Sequence, residues 1–140
     1  MTEQSVALVK KTWKLFCDID PLLIGDVFYT RLFTGHPALR KLFPKDMKEQ
    51  YAKLMSMLTT IVSRLDRLEE LSQEIADMGR RHVEYGVKPS YYKLVGDALF
   101  WTLKQGLGKD WTPQVEAAWK ECYTVLSDTM ITAAGRQSSR

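Results

Sequence analysis

Apolar positions along this chain recur at helical spacing, in stretches separated by proline, glycine and capping residues. From Leu71 the apolar side runs Leu71, Ile75, Met78, His82, Tyr85 in alternating steps of four and three, while Arg80, Arg81 and Glu84 fall on the solvated side. A second stripe runs Gln50, Leu54, Met57, Leu58, Ile61, Leu65 and Leu68. A third gathers Phe28, Tyr29, Leu32 and Phe33, with Gly25 one turn before Tyr29, where a close helix crossing would fit. All five prolines lie between these patterns. Asp20-Pro21 and Thr112-Pro113 each read as a capping side chain followed by proline at the first helical position. Pro37 and Pro44 bracket a segment of a turn or two, Lys88-Pro89-Ser90 separates two helices, and Gly106 with Gly108 closes the second of them. Strand-type alternation is absent from the sequence. The pattern predicts an all-α domain over 1–134, with helices near 3–19, 21–35, 48–67, 69–85, 90–106 and 113–134, a short turn at 37–43, and a polar, frayed tail over 135–140.

Composition narrows the function classes. A chain of 140 residues that is 45% hydrophobic is one domain with a sizeable core. The net charge of +3 comes from basic residues scattered along the chain, not from the concentrated patch that nucleic acid requires, so no nucleic-acid partner is expected. No apolar run approaches the roughly 18 residues of a membrane helix, and the start, Met-Thr-Glu-Gln, is polar, so the expectation is a soluble, cytoplasmic protein with no membrane partner. Cys17 and Cys122 stand far apart without metal-type spacing and are expected to be free thiols.

His82 is the residue to explain, and on its own position it reads first as a hydrogen-bonded core histidine. An uncharged imidazole on an apolar stripe needs a donor and an acceptor, or a metal in place of one of them. A hydrogen-bonded core histidine satisfies that requirement as well as a metal ligand does. Gln50 and Tyr29 are two further polar intrusions with simple accounts of their own: a half-exposed amide at a helix start, and a core aromatic whose hydroxyl reaches water. Three such groups on three helices, each directed inward by its own periodicity, are more than a purely structural core would carry. His36, before Pro37 at a helix junction, reads as a surface residue.

The segments Phe28-Tyr29-Thr30-Arg31-Leu32-Phe33, His36-Pro37-Ala38-Leu39-Arg40-Lys41-Leu42-Phe43 and Gly79-Arg80-Arg81-His82-Val83-Glu84-Tyr85-Gly86-Val87-Lys88-Pro89 are similar to those of the globin family. The first two look like the second and third helices of bacterial single-domain globins and flavohaemoglobin haem domains, and the third is similar to the proximal segment of those proteins and of neuroglobins. Tyr92, Val95-Gly96 and Ala118-Trp119 continue it, so that it covers about Ser5 to Ile131. The resemblance implies a three-over-three helical sandwich around haem b, with His82 as the proximal iron ligand. It also implies that Phe43 packs on the porphyrin face, that Tyr29 and Gln50 form a distal polar pair, and that Leu54 lies above the iron. Val87, Tyr92 and Val95 join the haem pocket, and Arg81 is either a partner for a haem propionate or an ordinary surface charge.

On this likeness the chain reversibly binds O2, and NO or CO as related ligands. The alternative is an enzyme, an NO dioxygenase. The Tyr29 and Gln50 pair favours it; against it, no flavin or nicotinamide domain is expected in this sequence, so an external reductase would be needed. Also against it, the position matching a flavohaemoglobin glutamate that bonds a tyrosine beside the proximal histidine is Ala134, although Tyr92 matches the tyrosine. The proximal histidine then donates less electron density. A third reading, a haem-free interaction or stress-sensor domain on the same fold, sits poorly with the intact set of Tyr29, Phe43, Gln50 and His82.

Overall fold

A computed structural model describes residues 1–138, with side chains described through Gly135, and it is all helix with no strand among the described residues. The first helix, α1 (Glu3–Phe16), begins at Thr2, whose side chain accepts the Ser5 N–H, and buries Val9, Thr12, Trp13 and Phe16, the inward face of a 3.6-residue period. It ends three residues before the periodicity predicts. Cys17 caps it and Ile19 still packs inward from the following turn, where its N–H reaches the Phe16 carbonyl at 3.1 Å. Helix α2 (Pro21–Gly35) starts as predicted, with the Asp20 carboxylate accepting the Leu22 N–H at 3.0 Å. A 3₁₀ segment (Pro37–Leu42) leads to α3 (Lys48–Ser63).

Helix α3 stops short of the predicted residue 67. Ser63 and Thr60 turn their hydroxyls back onto the Thr60 and Ser56 carbonyls, which weakens the helical ladder, and the chain continues as a 3₁₀ segment (Leu65–Leu71) with a non-helical Arg67. Leu65, Leu68 and Leu71 are spaced by three, the 3₁₀ period. Next come α4 (Ser72–Glu84), α5 (Tyr91–Leu107), a short 3₁₀ turn (Gly108–Asp110) and α6 (Pro113–Ser138). Gly108, at φ +54, ends α5, whereas Gly106 lies inside it, where a Cβ would collide with the Phe16 ring. The predicted tail is helical as far as Ser138; residues 139–140 lie outside the described residues.

The helices form two layers, α1, α3 and α4 crossing α2, α5 and α6. Trp13 packs on Trp119 with ring centroids 5.8 Å apart, and the Trp119 indole N–H donates to Thr12 at 2.9 Å, which joins α1 to α6. Gly25 lets α2 and α3 approach closely: a Cβ there would sit 2.5 Å from the Tyr51 side chain. The apolar interior is in two parts. The larger runs through α1, α2, α3, α5 and the first half of α6. The smaller consists of Ile61, Leu71, Ile75, Leu126 and Met130, and half-buried Met57 and Leu68 touch both. No helix among the described residues is long and apolar enough to cross a membrane.

Candidate functional site

Tyr29 sits on the inner face of α2, only 4% exposed, with the rings of Phe28, Phe33, Phe43 and Tyr51 around it at 4.8–5.8 Å between centroids. Its hydroxyl accepts a hydrogen bond from the Gln50 amide at 3.1 Å. Gln50 reaches it from the first turn of α3, which the absent side chain of Gly25 brings against α2. Burial pushes the Tyr29 phenol up to about 12, against the smaller opposing pull of the Gln50 bond. The phenol is therefore neutral at physiological pH. Because Gln50 donates into it, its own O–H proton stays available for another acceptor.

His82 occupies the last turn of α4, half-buried. Its Nδ1 lies 2.7 Å from the Met78 carbonyl oxygen, one turn back. A carbonyl oxygen can only accept, so the neutral ring carries its proton on Nδ1 and leaves the lone pair on Nε2. Burial lowers the imidazole pKa, the Met78 bond opposes this, and Arg81 lowers it further, so the ring is neutral at physiological pH. Tyr92 lies nearly parallel to the imidazole, centroids 6.4 Å apart, and the Val87 N–H donates to the His82 carbonyl at 2.9 Å.

One contact links the two groups. Gly86 turns the chain at φ +90, and a Cβ built on it would lie 3.3 Å from Leu42, the neighbour of Phe43. The turn after His82 thus meets the end of the 3₁₀ segment that places Phe43 against Tyr29. Phe43, Leu54 and Val95 are half-buried at the margin of the larger apolar cluster, and Met78 and Tyr92 at the margin of the smaller. Val87 is half-buried and Arg81 exposed.

The predicted stripe of α4 fails at its end. Tyr85 is 58% exposed because the helix stops at Glu84 and the Gly86 turn carries the chain away, although its ring remains 5.9 Å from His82. On α3 the buried positions are Met55, Leu58, Ile61 and Val62, so Leu54 and Met57 of the predicted stripe lie at its edge, only half covered. His36 is exposed, as its junction position predicts. Cys17 and Cys122 are free thiols; burial pushes the Cys122 thiol up to about 12.

Two contributors carry no periodic signal. Tyr51 stacks on Tyr29 with its hydroxyl 3.4 Å from Asp26, and Arg40 donates to the carbonyls of Phe43, Pro44 and Lys45 at 2.9–3.2 Å. The carbonyl partner of His82 was within reach of sequence reasoning, since Met78 lies four residues earlier on the same face. Among the described residues, no three His, Cys, Asp or Glu side chains gather to hold a bare metal ion.

Residues 26–130 match the sequence pattern of a family described as Globin. An uncharacterized globin-like protein of Aquifex aeolicus is 31% identical over 132 residues, 94% of this chain and 93% of that protein. A flavohemoprotein of Bacillus subtilis is 27% identical over 134 residues, 94% of this chain but 33% of its own length, so the chain spans about a third of that relative. Among solved structures, an engineered carbene transferase from Rhodothermus marinus, provisionally assigned as a nitric oxide dioxygenase, superposes with a TM-score of 0.87 at 28% identity, covering 99% of this chain and 96% of that one.

Proposed function

The chain belongs to the globin family, and from that premise we propose that it holds haem b through His82 and reversibly binds a diatomic gas beside Tyr29. The observation that carries the reading is the 2.7 Å contact between His82 Nδ1 and the Met78 carbonyl. It fixes the tautomer and orients the ring, and it presents an unprotonated Nε2, the donor a haem iron takes from a proximal histidine. A metal there needs its remaining donors from its own chelate, as a porphyrin supplies. The half-covered apolar side chains of Phe43, Leu54, Val87 and Val95 suit a flat apolar guest, which removes their exposed area from water.

Haem iron, when bound, supplies an open coordination position for O2, NO or CO. The chain's residues decide what is held there and for how long. Tyr29 points a neutral O–H at the guest, with Gln50 holding the hydroxyl in place. Such a donor favours a ligand that develops negative charge, O2 above CO. Phe43 and Leu54 exclude water, and Arg81, exposed beside His82, would pair with a propionate. The test is an absorbance spectrum of the reduced and CO-bound protein expressed with ample haem. A Soret band that His82→Ala abolishes is expected; its absence from the wild type ends the reading.

NO dioxygenation with a separate reductase is the second reading, supported by the Tyr29 and Gln50 bond and by the names of the relatives. The position that the family resemblance pairs with Tyr92 is Ala134, which carries no carboxylate, so the histidine would donate less strongly, which favours holding O2 over cleaving it. Repeated NO turnover with a reductase and NADH present would establish the enzyme. A single stoichiometric reaction would establish the carrier.

A further inference from the structure

We propose that small neutral guests reach Tyr29 through a cavity of about 430 Å³ between α2 and the start of α3, and that Arg40 is the latch holding its outer wall. This rests on the reading of the chain as a binder of O2, NO or CO. Buried Tyr29 and Met47, half-buried Phe33 and Tyr51, and exposed Thr30 and Lys48 line the cavity, so it runs from solvent to the Tyr29 ring. Its inner surfaces are aromatic and thioether, which suits an uncharged, weakly hydrated guest. Its mouth is net basic, with Arg40, Lys45 and Lys48 against the single carboxylate of Asp46, which accepts the Lys48 N–H at 3.1 Å, so charge is confined to the rim and the aromatic interior is left to an uncharged guest. Gln50 is not part of the lining. Tyr29 is thus shared: its ring lines the cavity and its hydroxyl bonds Gln50, so a guest that passes the ring edge reaches the hydroxyl.

Arg40 sets how far the cavity opens. One Nη donates to the carbonyls of Phe43 and Pro44 and the other to Lys45, while the guanidinium carbon lies 5.4 Å from the Phe33 ring centroid. A single side chain therefore ties the 43–45 loop to the cavity wall. Removing it leaves three carbonyls without their common donor and frees the loop to move.

The full chain, expressed with ample haem, is crystallised under xenon, and CO rebinding after flash photolysis is followed in Thr30→Trp, Lys48→Trp and Arg40→Ala. Both tryptophans replace exposed residues of the mouth, so the fold is not at stake. Xenon is expected in the wild-type cavity and not in Thr30→Trp. CO association and dissociation should both slow on the order of tenfold in the filled variants, with affinity unchanged, because a passage alters the barrier and not the end states. Both rates should rise in Arg40→Ala. No xenon in the cavity, or unchanged rates in both filled variants, overturns the route; unchanged rates in Arg40→Ala overturn the latch. Xenon in the cavity of a chain with no Soret band upholds the guest site and sinks the haem reading alone.

Discussion

At the scale of single residues, two hydrogen bonds set where protons and lone pairs point. Gln50 donates to Tyr29 and so keeps the phenol's proton outward; the Met78 carbonyl takes the His82 proton and so keeps a lone pair outward. Tyr29→Phe keeps the ring packing and removes the donor, together with the acceptor of the Gln50 bond. O2 dissociation should then speed up roughly five- to a hundredfold, the equivalent of about 1–3 kcal/mol, while CO dissociation changes much less. Stopped-flow ligand replacement checks this, and equal effects on the two gases would remove the donor argument. Asp66 offers a titration to follow. Its carboxylate, exposed, accepts from Lys10 at 2.9 Å, and that hydrogen bond, with one from its own backbone, holds its pKa below the ordinary 3.8. The folded value is the lower one, so the stability it contributes is present above 3.8 and is lost as the pH falls through the lowered value. Being at the surface, the pair contributes little. Carbon-detected NMR should find the Asp66 pKa returning toward 3.8 in Lys10→Ala.

At the scale of elements, glycines decide how closely helices cross. A Cβ on Gly79 would lie 2.5 Å from the Met130 carbonyl oxygen, and backbone cannot move aside as a side chain can. Gly79→Ala should push α4 off α6 and cost about 1–3 kcal/mol in urea unfolding. Gly135, helical with nothing near its Cβ, is the control: Gly135→Ala should stabilise by roughly 0.5–1 kcal/mol. Helix identity was legible because Asp20, Thr112 and the prolines act locally, and both capping bonds form. The ends were less legible. An apolar residue in a turn, such as Ile19, satisfies the same periodicity as one in a helix, and Leu65, Leu68 and Leu71 fit both a helix and a 3₁₀ segment until tertiary packing selects the tighter one. The inward direction of His82, Tyr29 and Gln50 could be read from periodicity. The Tyr51 stack and the Arg40 bonds could not, because each joins a residue to a loop or helix that only the fold brings near.

At the scale of the whole molecule, the all-α order and the two-layer packing follow from six amphipathic segments, which have few ways to bury their faces together. The proportions of the interior did not follow. Periodicity tells which residues turn inward, not whether they meet in one place or two. The divided interior bears on how the chain unfolds. Cooperativity requires that losing one part of the core destabilises the rest, and here the parts communicate through Met57 and Leu68, neither fully buried. Without a cofactor between them, the cluster around Ile75 and Met130 should melt before the one around Trp13 and Trp119. In the haem-free chain, tryptophan fluorescence and helical circular dichroism should therefore give different denaturation midpoints, and with haem added the two curves should merge. Coincident curves without haem would mean that Met57 and Leu68 suffice as the bridge. A haem held by His82, as proposed, would then also make the protein a single thermodynamic unit.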